Sequence, residues 1–261
     1  MGVLNVTPDS FSDGGHYLEA DAAVAQAERM VAAGADIVDV GGESTRPGAE
    51  PVSLEVERQR VLPPLEALAD RVEIPLSVDT SKPELMREAI AAGAAMINDV
   101  RGLTAPGAAE AVAHGGALAC VMHMQGEPGD MQQDPRYGDV VTEVGDFLEA
   151  RIGACVEAGI PRERLVVDPG FGFGKTLAHN LSLLRHLDRL VERLGCPLLA
   201  GMSRKRMIGS LLGGVGADER LYGSLAAAVM AAERGARILR VHDVRATSEA
   251  LTVFHAVRDA G

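Results

Sequence analysis

Apolar and polar positions along this chain follow a unit that repeats. An Ala-rich stretch of helical periodicity closes on a glycine, and a short apolar run follows that ends on a polar or charged residue. The glycines are Gly34, Gly93, Gly115, Gly159, Gly195 and Gly235, and the runs cover residues 36–40, 96–99, 118–123, 165–168, 198–203 and 238–243. Glycine tolerates the left-handed backbone at a helix end, and near-continuous apolar runs suit strands covered on both faces. Each unit therefore predicts a helix leading into a parallel strand. Two further apolar runs, residues 2–7 and 76–79, lack the preceding glycine and bring the predicted strands to eight.

Eight alternating strands and helices in 261 residues predict a single α/β domain over residues 1–261. The fold expected is a (β/α)8 TIM barrel with its active site at the C-terminal ends of the strands. A doubly wound open sheet uses the same alternation, and strand count alone leaves it open. In a barrel, chemistry belongs to the polar strand ends, here Asn5, Glu43, Asp79, Asn98, His123, Asp168, Lys205 and His242. The pattern Ser81-Lys-Pro-Glu84 predicts a capping box that opens the third helix just past Asp79.

Composition narrows the function. Hydrophobic residues make up 47% of the chain, enough for one large core, and no run reaches the ~20 apolar residues that span a bilayer. No charged, apolar leader opens the chain, so a cytoplasmic protein without a membrane partner is expected. The net charge of −12 argues against a nucleic-acid or anionic-membrane surface, and any anion must meet a local concentration of cations. Lys82, Lys175 and Lys205 are the only lysines against 22 arginines, and each follows a predicted strand end. Cys120, Cys155 and Cys196 are widely spaced and read as small buried hydrophobes in a reducing compartment.

Residues 8–20, 42–52 and 124–138 are too long and polar for simple turns, and at an active-site face they read as lids. Residues 168–176 resemble a phosphate-binding P-loop, but Pro169 stands where that pattern needs glycine. What remains is a strand-end aspartate and a glycine loop that lets backbone and the Phe171 or Phe173 ring approach a flat ligand. Asp79, Asn98 and Asp168 together suit a heterocycle with a guanidine-like edge, since a carboxylate accepts two parallel N–H bonds. Residues 203–206 and 240–242 supply cations after strands seven and eight, the usual phosphate corner of such barrels. His123 and His242 lack a metal-ligand spacing, and His114, His179, His186 and His255 read as helix-surface residues.

Motifs at 2–15, 41–48 (Gly-Gly-Glu-Ser-Thr-Arg-Pro-Gly), 77–83 (Ser-Val-Asp-Thr-Ser-Lys-Pro), 97–100, 122–126, 168–175, 203–205 and 240–243 occur in order over nearly the whole chain. In these the sequence resembles the dihydropteroate synthases, the sulfonamide-target transferases of folate synthesis. The resemblance implies condensation of 6-hydroxymethyl-7,8-dihydropterin pyrophosphate with p-aminobenzoate, with Mg²⁺ as cofactor and a homodimer as the assembly. It implies that Asp79, Asn98, Asp168 and Lys205 hold the pterin, with Asp79, Asp168 and Lys205 as the catalytic set. Asn5 would ligate Mg²⁺, and Arg240 and His242 would bind pyrophosphate. Thr45 belongs to the second lid, and Phe11, Arg46 and Pro47 would enclose the aminobenzoate ring.

Two departures stand out. Arg206 occupies a position where many members carry serine near the aminobenzoate carboxylate, and the chain begins almost on its first strand, as a trimmed or misassigned start would, leaving the barrel floor less covered. Corrinoid-dependent methyltransferases share the Asp and Asn pocket, yet they need neither residues 203–205 nor the second lid. A non-catalytic binding paralogue should have lost lid or anion residues, and these are present.

Overall fold

The computed structural model describes residues 1–6, 16–44 and 48–260. Among them strands and helices alternate. The strands are β1 (Gly2–Asn5), β2 (Val38–Gly41), β3 (Leu76–Asp79), β4 (Met96–Asp99), β5 (Leu118–Met122), β6 (Leu165–Asp168), β7 (Leu199–Ala200) and β8 (Ile238–Leu239). The helices are α1 (His16–Ala32), α2 (Leu54–Ala69), α3 (Pro83–Ala91), α4 (Ala108–Gly115), α5 (Val140–Glu157), α6 (Leu177–Arg185), α7 (Leu187–Leu194), α8 (Arg206–Leu211), α9 (Leu221–Glu233) and α10 (Val244–Arg258). None of these helices is long and apolar enough to cross a membrane.

Strands β1 to β6 pair in parallel in chain order, and β7 pairs with β8. A doubly wound sheet reverses its strand order at a switch point; this one does not, which decides for the barrel. The ladder is uneven around the cylinder. One parallel bridge, Val167 with Leu198, joins β6 to β7, and another, Gly2 with Val241, joins β8 back to β1. At the second seam the Val3 amide donates to the Val241 carbonyl at 3.1 Å and the Val241 amide to the Met1 carbonyl at 3.0 Å.

Alternation along the strands separates two apolar layers. Val38, Val40, Val78, Ile97, Val121, Val167 and Ala200 face outward into one large core with the helices. Met1, Met96, Cys120, Val166 and Leu199 form a separate small cluster that plugs the barrel interior. Immediately above this plug, at the next inward register, the interior turns polar: Asp39, Ser77 and Asn98 are buried there. All three cysteines are buried and unpaired, as read from the sequence.

Three local expectations are corrected. The αL residue closing α4 is Gly116, at φ +80°, rather than Gly115. The Ser81–Glu84 capping box does not form. Lys82 is the N-cap of α3 without a side-chain cap bond, because the Ser81 hydroxyl donates instead to the buried Asp99 carboxylate. Finally, β7 and β8 are shorter than predicted. After Ala200 the chain folds into a turn, closed by the Lys205 amide on the Met202 carbonyl, with Arg204 left-handed at φ +58°.

Candidate active site

The polar floor is organised by Asp39. Its carboxylate accepts from the Ser77 hydroxyl at 2.6 Å, from Asn98 Nδ2 at 3.2 Å and from Arg240 Nε at 2.6 Å. Arg240 also donates through Nη2 to Asp79 at 2.8 Å, so one guanidinium serves two carboxylates. Strand register explains the meeting: Asp39 lies beside Ser77, and Asp79 beside Asn98. With its Nδ2 committed to Asp39, Asn98 keeps its carbonyl oxygen for the pocket. Burial, opposed by Arg240 and reinforced by Asp39, Asp99 and Glu57, pushes the Asp79 carboxyl up to about 7. Burial opposes the Arg240 charge, but Asp39 and Asp79 outweigh it and hold the guanidinium protonated.

Opposite stands the glycine loop after β6. Asp168 accepts the Gly170 amide at 2.7 Å, and burial raises its carboxyl against the pull of Lys205. A Cβ on Gly170 would lie 1.9 Å from the His123 carbonyl oxygen, and one on Gly174 2.2 Å from that of Gln125, both at positive φ. Only glycine lets the loop lie this close to the segment after β5. The loop carries the Phe171 carbonyl to Lys205 Nζ at 2.5 Å, and that ammonium lies 4.5 Å from the Phe173 ring centroid. Burial lowers Lys205 to about 8 despite the nearby Asp168.

The segment 124–138, expected to be a lid, is a buttress beneath this loop. Tyr137 donates to the Gly174 carbonyl at 2.8 Å and Gln132 to that of Gly172. Residues after β7 and β8 form the remaining wall. Ser203 Oγ accepts the His242 amide at 3.2 Å and lies 3.1 Å from His242 Nδ1. Arg204, counted among the cations of this corner, instead pairs with Asp243 at 2.9 and 2.5 Å. Its exposed neighbour Arg206 opens α8.

The three lysines therefore have different fates. Lys82 pairs with Glu43 and with the buried Glu57. Lys175 is enclosed behind the glycine loop, and Lys205 alone faces the pocket. Arg240, expected to meet an anion, has Nε and Nη2 turned to the floor carboxylates. Phe11, Thr45, Arg46 and Pro47 lie outside the described residues.

Asn5 ends β1 in register with Gly41, which on its other side is in register with Asp79, so Asn5 and Asp79 flank a position without a side chain. Among the described residues no group of three His, Cys, Asp or Glu could hold a metal. A neutral amide oxygen at the mouth still fits Mg²⁺, which is commonly held by one or two protein oxygens with substrate phosphates and water supplying the rest.

A reading from strand ends passes over Asp39, which sits within an apolar run, two residues before the end of β2. The available signal was a charge at inward register, beside Ser77 on the next strand. Lys175 was visible only as a lysine after a glycine loop.

With this geometry in hand, the comparisons are consistent with one another. The family described as pterin binding enzyme matches residues 1–242. The dihydropteroate synthase of Escherichia coli (strain K12) is 56% identical over 260 residues, spanning 100% of this chain and 92% of the relative. A solved Xanthomonas albilineans dihydropteroate synthase with 4-aminobenzoic acid superposes with a TM-score of 0.93 at 56% identity, covering 98% of this chain and 92% of that one. The same organism's enzyme in complex with 7,8-dihydropteroate gives 0.89 at 52% identity, with the same coverage.

Proposed function

The chain belongs to the dihydropteroate synthases within the pterin-binding enzymes, and from that premise we propose that its barrel mouth joins dihydropterin pyrophosphate to p-aminobenzoate. The observation that carries this reading is the convergence of Asp79, Asn98, Asp168 and Lys205 on one polar floor. A flat heterocycle rich in N–H groups finds two carboxylates and the Asn98 carbonyl as acceptors, and Lys205 as a donor for its acceptor edge.

The bond that breaks joins the pterin methylene to a pyrophosphate oxygen, which keeps the electron pair. The aminobenzoate nitrogen then supplies the pair for the new C–N bond and releases a proton to solvent or to the departing anion. Departure ahead of attack leaves positive charge on the pterin, so the site has to stabilise charge and exclude water more than it needs a strong base. Asp79 and Asp168 offset that charge from fixed positions. His242 stands on the leaving-group side, Lys205 holds the pterin, and Arg240 keeps the two floor carboxylates in place with a third nitrogen to spare. Asn5 would hold Mg²⁺, which when bound neutralises charge on the pyrophosphate oxygens. Residues 45–47 and Phe11 would close over the aminobenzoate.

The reading carries with it a cytoplasmic location and a homodimer. The exposed Leu211 and Leu212 at the end of α8 and Tyr222 and Met230 on α9 support an apolar contact between copies.

The test is pyrophosphate release with both substrates and Mg²⁺. Release should require the amine and should fall by about 100-fold or more in Asp168→Ala and in Lys205→Ala, the range seen when a charge-stabilising group is removed. Amine-independent release, or full activity in either variant, overturns the assignment.

A further inference from the structure

Lys175 is a buried lysine that touches nothing in the pocket. Its Nζ donates to His123 Nδ1 at 2.9 Å, to the Phe173 carbonyl at 2.9 Å and to the Gly170 carbonyl at 3.0 Å. A longer fourth contact reaches the His123 carbonyl at 3.4 Å, and the three shorter ones match the three hydrogens of an ammonium. His123 accepts because its imidazole is neutral: burial, then Lys175 itself, takes its pKa down to about 3. An edge-on contact with the Phe147 ring, 4.9 Å between centroids, fixes the imidazole plane.

The two carbonyls that Lys175 binds are the two ends of one turn. The Phe173 amide donates to the Gly170 carbonyl at 3.1 Å, so residues 170–173 form a turn with Phe171 at its tip. The tip carbonyl meets Lys205 Nζ, and the ring of the turn's last residue lies beside the same ammonium. Among residues 170–174, Tyr137, Gln132 and Asn180 bond only Gly172 and Gly174, and Asn180 otherwise reaches the Lys175 and Thr176 carbonyls. Lys175 is the side chain that closes the base of the turn.

We propose that Lys175 is a positioning residue for the pterin pocket: by clasping Gly170 and Phe173 to His123, it holds the Phe171 carbonyl and the Phe173 ring where they orient Lys205. The inference rests on the pterin reading of the site. Burial, with the repulsion of Lys205, lowers Lys175 to about 7 against the attraction of Asp168, so the protein keeps a costly group here, and its bonds to Gly170, Phe173 and His123 explain why. Methionine would fill the same space, leave the Phe173 carbonyl without its donor and leave that of Gly170 with the turn's own amide alone.

The experiment is a double-mutant cycle on full-length protein, with 6-hydroxymethylpterin, which lacks the leaving group, as the probe in calorimetry. Lys175→Met should weaken its binding about ten-fold in the natural background and by less than about two-fold in Lys205→Ala, because residues acting through one another are non-additive. In turnover, KM for the pterin substrate should rise while KM for p-aminobenzoate stays within about two-fold. Equal weakening in both backgrounds, or none in either, overturns the inference. If Lys175→Met does not fold, Lys175→Gln, which keeps amide donors at shorter reach, takes its place in the same cycle. Wild type that fails to bind the pterin overturns the pocket reading and this inference with it, whereas wild type that binds while the cycle is additive overturns the inference alone.

Discussion

At the scale of single residues, the floor is short of positive charge. Arg240 alone bridges Asp39 and Asp79, and burial first, then the charges of Asp39, Asp99 and Glu57, push the Asp79 carboxyl up to about 7 against it. A carboxyl raised in the folded state binds more protons folded than unfolded, so stability is lost as pH rises from about 4 to about 7. Asp79→Asn should therefore flatten the fall of Tm across that window, measured by thermal melts in a pH series. The ionised carboxylate is also the acceptor that a pterin N–H needs, so pterin affinity should climb through a midpoint near 7 as pH rises. Asp39→Asn removes a like charge and should move that midpoint down while weakening binding, because Asn98 and Arg240 lose a partner. A midpoint unmoved by Asp39→Asn would detach Asp39 from the pocket. Asp79, Asn98, Asp168 and Lys205 were legible because polar residues at strand ends stand out against apolar runs. Asp39 was not, since a mid-strand aspartate reveals itself only when neighbouring registers are aligned.

Among the elements, the glycine loop and the segment under it separate what pattern shows from what contact decides. Length and polarity marked residues 124–138 as a lid because they do not report hydrogen-bond partners; Tyr137 and Gln132 anchor the loop. The capping box failed for a related reason, as the buried Asp99 competes for the Ser81 hydroxyl. The eight strands themselves were legible, six of them because an apolar run after a glycine that closes a helical stretch has few other folds available, and two from the apolar run alone. Two alanine substitutions separate backbone strain from contact. Gly213, at φ +83° with nothing within 4 Å, should cost only about 1 kcal/mol as alanine, the price of a left-handed backbone. Gly170→Ala adds a collision with the His123 carbonyl and should cost at least about 3 kcal/mol, the upper end of the usual range for one substitution. Urea denaturation measures both, and equal costs would show that the loop shifts freely away from β5.

Over the whole molecule, the site straddles the two weak seams of the barrel. Asp39, Asp79, Asn98 and Asp168 belong to the six-strand ladder, while Lys205 and Arg240 follow the two-residue strands β7 and β8. Side-chain bonds of the site cross where backbone bonds are few: Lys205 reaches the loop after β6, and Arg240 reaches Asp39 and Asp79 on β2 and β3. The amine of Met1 adds a bond to the Leu239 carbonyl at 3.1 Å. Because opening free energy follows local ladder density, β7 and β8 should open before the rest. Hydrogen exchange should find faster uptake in peptides covering 199–200 and 238–241 than in those covering 76–79, 96–99 and 165–168. Arg240→Met should widen that gap by removing both ion pairs that tie β8 across the interior. A pterin bound between Asp168 and Lys205 should narrow it, since a ligand that contacts both sheets stabilises the state in which they are joined. Uniform protection around the barrel, unchanged by either, would mean that the two isolated bridges close the cylinder as firmly as the continuous ladders do.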